Sequence, residues 1–288
     1  MTLEQSNQID VVYNPIISQL AQYREPQYTI VRATRPGMPR SLVLNTTQFP
    51  FDNVLVRRAI AYAVNKAQIV ATAYGGIGSP ANNIITPNLF GYSAQVASQW
   101  PKYNPAKAKQ LLAQAGFRDS GNGILAKNGQ KLEVTYASIA STSGNIQDQI
   151  VQSNLKAVGI QMNIRNEEQA AVLADLQACK WQMSNQLFVG TDPDVMYQFL
   201  QSASIHRSYD SACYHSPKMD RYLGYGRTTT DPTARAALYA KAQQLAMTDM
   251  PYVPFYNIQN AYIVNGRVHG FAVDTQAFWD LYNTWVSS

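Results

Sequence analysis

The sequence predicts a mixed α/β fold in which a partly parallel sheet is covered by helices on both faces. Short β-rich or alternating stretches are interleaved with helical periodicities, and four helices open on a capping residue followed by proline. With 46% hydrophobic residues in 288, the chain also has the material for a sizeable core. Loops at the carboxyl ends of the strands are the expected ligand-binding region of such a sheet.

Taken in order, residues 41–45 read as a strand. Asp52 is placed to cap a helix carrying Val54, Ile60, Ala61, Val64 and Ile69, which Gly75 and Gly76 end. Residues 75–101 combine glycine, proline, asparagine and scattered aromatics without periodicity and read as an irregular excursion. Asn104-Pro105 opens a helix with an apolar face of Ala108, Leu111, Leu112 and Ala115, and Gly116 closes it as a left-handed cap. A strand over 131–136 precedes a helix from about Asn145 through Ile150, Val151 and Leu155 to Gly159. Strands follow over 160–165 and 181–189. Asp192-Pro193, Ser216-Pro217 and Asp231-Pro232 repeat the cap-and-proline device. The last of these opens the longest helix, with Ala234, Leu238, Leu245 and Ala246 on one side until Pro251 prevents continuation. No internal repeat or low-complexity tract interrupts this order.

Several function classes find no support. The net charge is +5, yet Arg57-Arg58 is the only adjacent basic pair, so no stripe of cations exists to track phosphates, and nucleic acid is not an expected partner. No window of about 18 apolar residues is present to span a bilayer as a helix. His206, His215 and His269 show neither metal-helix spacing nor the pattern of a catalytic triad. Cys213 and His215 with Cys179 and His206 lack the paired Cys-x-x-Cys of a zinc site. Gly75, Gly76 and Gly78 follow a helix rather than a strand and lack the Lys-Ser/Thr end of a phosphate loop. No cofactor is expected. The two cysteines are compatible with one disulfide or with two thiols.

Four separated stretches carry a family likeness: FPFDNVLVRRAIAYAVNK at 49–66, YNPAKAKQLLAQAGF at 103–117, LKAVGI at 155–160 and DPTARAALYAKAQ at 231–243. Together, and in this order, they resemble the family 5 extracellular solute-binding proteins of ABC importers, the peptide, opine and nickel group. QIDVVY at 8–13 is similar to an internal strand of the first lobe of that family. The resemblance implies a bilobed, type II periplasmic-binding-protein-like architecture with much of the first lobe missing from this chain. Residues 1–48 would hold a first-lobe remnant and a crossover strand, 49–255 the second lobe, and 256–288 the return to the first. It implies a substrate-binding component, or its carboxy-terminal fragment, capturing a peptide or other small polar solute in an interlobe cleft. The implied partners are that ligand, an ABC permease in the membrane and the upstream part of the same fold. The implied location is periplasmic or extracytoplasmic, with a signal sequence upstream, and a Cys179–Cys213 disulfide suits that compartment. A hydrolase on a similar scaffold and a non-transport interaction protein are the alternatives.

Tyr13, Asn45, Tyr136, Ser143, Asn145, Gln186 and Phe188 lie in segments that resemble cleft-lining parts of the family. Thr191 and Asp192 join them from the turn that follows the strand at 181–189. In peptide-binding members an aspartate four residues before the matching proline pairs with the ligand's amino group, and that place is Val189 here. Asp192 has two readings, a cap for a helix begun by Pro193 or a ligand-facing carboxylate.

Overall fold

The computed structural model describes residues 8–15, 22–23, 26–140 and 145–287. Strands β1 (Val11–Tyr13), β2 (Tyr28–Thr34) and β3 (Gly37–Leu44) lead into helices α1 (Val54–Ala63) and α2 (Lys66–Ala73). Strand β4 (Ser79–Pro80), α3 (Ala94–Gln99) and α4 (Pro105–Gln114) follow, then a small meander of β5 (Arg118–Asp119), β6 (Leu125–Lys127) and β7 (Gln130–Lys131). Next come β8 (Glu133–Ile139), α5 (Ile146–Lys156), β9 (Gln161–Glu167), α6 (Gln169–Gln177) and β10 (Met183–Val189). Helices α7 (Val195–Leu200), α8 (Pro217–Thr228) and α9 (Pro232–Asp249) precede β11 (Tyr252–Asn257) and β12 (Gln259–Asn265). Four two-residue strands end the chain: β13 (Val268–His269), β14 (Ala272–Val273), β15 (Trp279–Asp280) and β16 (Trp285–Val286).

The principal sheet has six strands in the order β4-β11-β3-β10-β8-β9. Strand β8 is parallel to both β9 and β10, because helices α5 and α6 make the crossovers that parallel neighbours require. Strand β3 is antiparallel to β10 and β11. Helices pack on the sheet around one continuous core that includes Leu42, Ile60, Leu112, Tyr136, Leu155, Phe199 and Tyr252.

Local chemistry explains where the helices begin. The side chains of Asn104, Ser216 and Asp231 accept the N–H of Lys107, Met219 and Ala234 at 2.9, 3.3 and 2.7 Å, each with proline in the first turn. Elsewhere the structure departs from the sequence reading. Asn53, not Asp52, caps α1, accepting from the N–H of Leu55. The single helix expected through Ile69 is two, because Val64 turns extended and Asn65 starts again by accepting the Gln68 N–H at 3.0 Å. Helix α9 buries Tyr239, Ala242, Gln243 and Ala246, while Ala234 is exposed.

Gln243 is buried because it ties the irregular excursion down. Its amide oxygen accepts from Asn83 Nδ2 and the Ser93 N–H at 2.6 and 2.8 Å, and its amide nitrogen donates to the Gly91 carbonyl at 2.7 Å. The buried Lys66 does the same from α2, donating to the Ala81 carbonyl at 2.7 Å. Burial depresses this ammonium to a pKa of about 7.

A second sheet, β1-β12-β2, is wholly antiparallel. The chain passes between the two sheets twice, at Arg35-Pro36 between β2 and β3 and at Ile258 between β11 and β12. The Arg35 N–H donates to the Ile258 carbonyl at 2.9 Å, and the Gly190 N–H donates to the Pro36 carbonyl at 3.1 Å. Gly37 is required just beyond: its φ is 128°, and a Cβ there would lie 2.2 Å from the Phe188 oxygen.

Candidate functional site

Strands β8 and β10 run parallel, so their carboxyl ends lie on the same side of the sheet, and Val189 pairs with Gly37 at the crossover. Paired residues share a face of a sheet, and successive residues alternate. Two polar regions therefore form at this end, on opposite faces.

On one face, Arg40 Nη1 donates to Asn185 Oδ1 at 2.7 Å, and Asn185 Nδ2 donates to the Tyr136 hydroxyl at 2.5 Å. Tyr136 donates to Asp148 Oδ1 at 2.7 Å, and Ser138 donates to Asp148 Oδ2 at 2.6 Å. Asn145 closes the chain of contacts, donating to Ser138 Oγ at 2.7 Å and to the Ile139 carbonyl at 2.9 Å. Burial raises the Asp148 carboxyl above the ordinary range, against the pull of the Ser138 and Tyr136 hydroxyls. Burial first, and then the neighbouring Asp148, push the Tyr136 phenol well up. Tyr74 stacks on Tyr256 with ring centroids 3.7 Å apart and planes 9° from parallel. Its hydroxyl bonds Gln147, while that of Tyr256 donates to the Ile77 carbonyl at 3.0 Å. Burial lifts Tyr74 to about 12 and also raises the Tyr256 phenol. Tyr256 pairs with Arg40 across β11 and β3, so one guanidinium faces a group of hydroxyls and amides.

On the other face, Gln186 pairs with Ser41 and lines a cavity of about 450 Å³ together with Leu173, Gln177, Arg207 and Tyr209. Phe188, Phe199 and Tyr209 form an aromatic group beside it, with centroids 5.2 to 5.5 Å apart. Gln186 Oε1 is buried without a hydrogen bond among the described residues.

The structure thus joins Tyr136 to Asn145, and places Gln186 near Phe188 by way of Tyr209, but it does not gather all the sequence-derived candidates. Tyr13 lies in the three-stranded sheet, packed on Tyr262 and Trp279 at 5.2 and 5.6 Å. Asn45 is at the far end of β3. Its amide is committed internally, donating to the carbonyls of Cys179 and Trp181 and accepting from the Thr47 hydroxyl at 2.7 Å. Ser143 lies outside the described residues. Thr191 is exposed in the turn after β10.

Asp192 does not cap a helix begun by Pro193, since α7 starts at Val195. It instead accepts the Asp194 N–H at 2.8 Å, pinning the turn, and pairs with Arg235 at 2.7 Å. Burial acts to raise its carboxyl, but Arg235 and the Asp194 N–H outweigh that and hold it below the ordinary range.

Cys179 and Cys213 are bonded, joining the end of α6 to the loop before α8. No group of three or more His, Cys, Asp or Glu side chains placed to hold a metal occurs among the described residues. Arg40, Asn185, Asp148 and Tyr256 are members of the polar region that the sequence reading did not pick out. A cation inside the apolar run of β3 was the available signal for the first.

Residues 1–208 match the family described as bacterial extracellular solute-binding proteins, family 5 Middle. Among curated relatives, the glutathione-binding protein GsiB of Shigella flexneri is 26% identical over 280 residues, covering 94% of this chain and 51% of that protein. Di/tripeptide-binding protein 2 of Pseudomonas aeruginosa is 29% identical over 253 residues, 86% of this chain and 46% of the relative. The chain thus spans about half the length of the curated relatives it matches. The fold superposes on NikA from Brucella suis in complex with Fe(III)-EDTA, with a TM-score of 0.86 at 23% identity over 99% of this chain and 59% of that one. The oligopeptide-binding protein AppA from Bacillus subtilis, in complex with a nonapeptide, gives a TM-score of 0.81 at 22% identity over 99% and 57%. These likenesses make the architecture that of a type II periplasmic binding protein, of which this chain holds a part. The chain belongs to the family 5 bacterial extracellular solute-binding proteins.

Proposed function

We propose that this chain is the carboxy-terminal part of the solute-binding component of an ABC importer, and that it captures a peptide or another small polar solute without covalent chemistry. The observation that carries this reading is the pair of crossovers: two sheets joined by two chain passages, with polar side chains collected on the strand ends beside them. Such an arrangement supports closure of two bodies around a ligand. The six-stranded sheet and its helices, residues 37–257, would be one lobe. Residues 8–34 and 259–287 would contribute to the other, which shifts the boundaries expected at 48 and 256 to the crossovers themselves.

The length of the relatives supports further chain for that second lobe, and the family supports an extracytoplasmic location with an ABC permease as partner. Two relatives are named for binding glutathione and di- or tripeptides. Calorimetric titration of the product of the complete reading frame with di- and tripeptides, glutathione and neutral oligosaccharides tests the proposal. One-to-one binding with release of unchanged solute is the expected result. Turnover of a peptide or ester, or no binding across the panel, would count against it.

A further inference from the structure

We propose that Arg40 is a specificity-determining residue that takes a carboxylate of the bound solute, so that the ligand is anionic at the end lying over β3. The inference rests on the solute-binding reading above and names the chemistry that reading leaves open.

Arg40 sits within a strand otherwise made of Gly, Met, Pro, Ser, Leu and Val, where a charge is costly to hold without a partner. No carboxylate lies within ion-pair distance of it among the described residues; the nearest one linked to it, Asp148, is reached only through Asn185 and Tyr136. The acceptors of Asp148 are themselves engaged by Tyr136 and Ser138. Its guanidinium is nevertheless oriented. Nη1 is fixed on Asn185 Oδ1 at 2.7 Å, and Asn185 is in turn held on Tyr136.

Fixing Nη1 leaves the edge formed by Nε and Nη2, whose two parallel N–H groups match the two oxygens of a carboxylate. Nε is buried and has no hydrogen bond among the described residues, so the protein itself leaves that donor unsatisfied. Around it stand the hydroxyls and amide of Tyr74, Tyr136, Tyr256 and Asn185, with the Asp148 carboxyl acting on it electrostatically but not bonded to it. Arg35, five residues earlier at the crossover, also has a buried Nε without a partner. On its face of the sheet Arg40 is therefore an oriented guanidinium with an open donor and no ion-pair partner among the described residues. A ligand carboxylate would satisfy the open Nε and add a direct counter-charge to the one Asp148 supplies at longer range.

The test is isothermal titration of the full-length protein with two acids, N-acetyl-alanyl-alanine and glutarate, and with their amides. The acids are expected to bind at least about tenfold more tightly than the amides, the difference that a charge-assisted contact confers. Arg40→Gln should bring each acid and its amide to within about twofold, and Arg40→Lys, which keeps the charge but not the fork, should retain an intermediate preference. Equal binding of acids and amides by the wild type, or an acid preference unchanged in both variants, would overturn the assignment. Binding of the amides alone would overturn it while leaving the solute-binding reading intact. Absence of binding by acids, amides and the peptide panel together would remove both. Should Arg40→Gln fail to fold, the Arg40→Lys ratio decides.

Discussion

Around the six-stranded sheet, Phe199, Tyr239, Tyr252 and Leu42 are fully enclosed by helices on either face, whereas beside the three-stranded sheet Phe278, Trp279, Leu281, Tyr282, Trp285 and Val286 remain exposed. Both regions are rich in aromatic residues, so composition does not separate them. What separates them is cover. The larger body carries its own helices and closes a core, while β13 to β16 form only two-stranded pairs that leave their side chains at the surface. Exposed apolar groups on this scale mark a surface that joins others. Stability in the larger body should therefore be internal, and in the smaller one dependent on what it meets.

The largest expected effect tests the closed side. Phe199 is completely buried against Phe188, Tyr209 and Tyr252, and Phe199→Ala should cost about 3–5 kcal/mol in denaturant unfolding. Trp279→Ala, half exposed, should change stability by less than about 1 kcal/mol but reduce self-association of the isolated chain in light scattering. Comparable losses at the two positions would erase the contrast.

Removing the disulfide is next. Cys179 and Cys213 are 34 residues apart, a loop for which the chain-entropy model gives about 4 kcal/mol, and the Cys179→Ser/Cys213→Ser double variant should lose about 2–4 kcal/mol. Two freely alkylated thiols in unreduced native protein would contradict the bond.

Lys66 sharpens the comparison through pH. Its folded pKa of about 7 lies below the ordinary 10.5, so between those values the unfolded chain holds a proton that the folded chain has released. Stability of the larger body should therefore rise as pH increases across that window. Lys66→Met should flatten the rise in melting temperature measured from pH 7 to 9.5. A wild-type melting temperature that falls over this range in step with the variant would show that the ammonium is not held in the way its burial implies.

The smallest effect belongs to the surface. Asp192→Ala breaks an ion pair whose carboxylate side is half exposed and should cost no more than about 1 kcal/mol. Because the Asp192 carboxyl is held below its ordinary range, this contribution is present at neutral pH and is lost as pH falls through the depressed pKa. Loss of solute binding with unchanged melting would assign Asp192 to the ligand instead.

Elements whose cause is local were legible in the sequence. A cap followed by proline at Asn104, Ser216 and Asp231 marks a helix start by chemistry that spans only three or four residues. The break between α1 and α2 was missed because apolar periodicity continues through Val64, although Asn65 carried the signal of a second cap. Helix α6 was missed for the opposite reason: Glu168 precedes it without a side-chain cap bond, so nothing at its start announces it. Asn45 looked like a polar group on a strand end and proved to be a tie between loops, which only the fold reveals. The polar region at Arg40 was illegible as a unit because residues 40, 136, 148 and 185 meet only once β3, β8, β10 and α5 are assembled. No spacing rule connects positions so far apart.

The two crossovers differ in stiffness, and this sets where any rotation of one sheet against the other is taken up. Pro36 has its φ locked by its ring, and Arg35 before it is confined to extended backbone. Beyond them Gly37 is clamped against residues 188–190 and bonded to Thr86 in both directions, at 2.9 and 3.0 Å. Ile258 has no ring on its φ, and its carbonyl accepts the Arg35 N–H at 2.9 Å. Torsion should therefore concentrate at Ile258 while Arg35-Pro36 acts as the fixed bearing, so that the axis of motion runs off-centre, along the proline side of the joint.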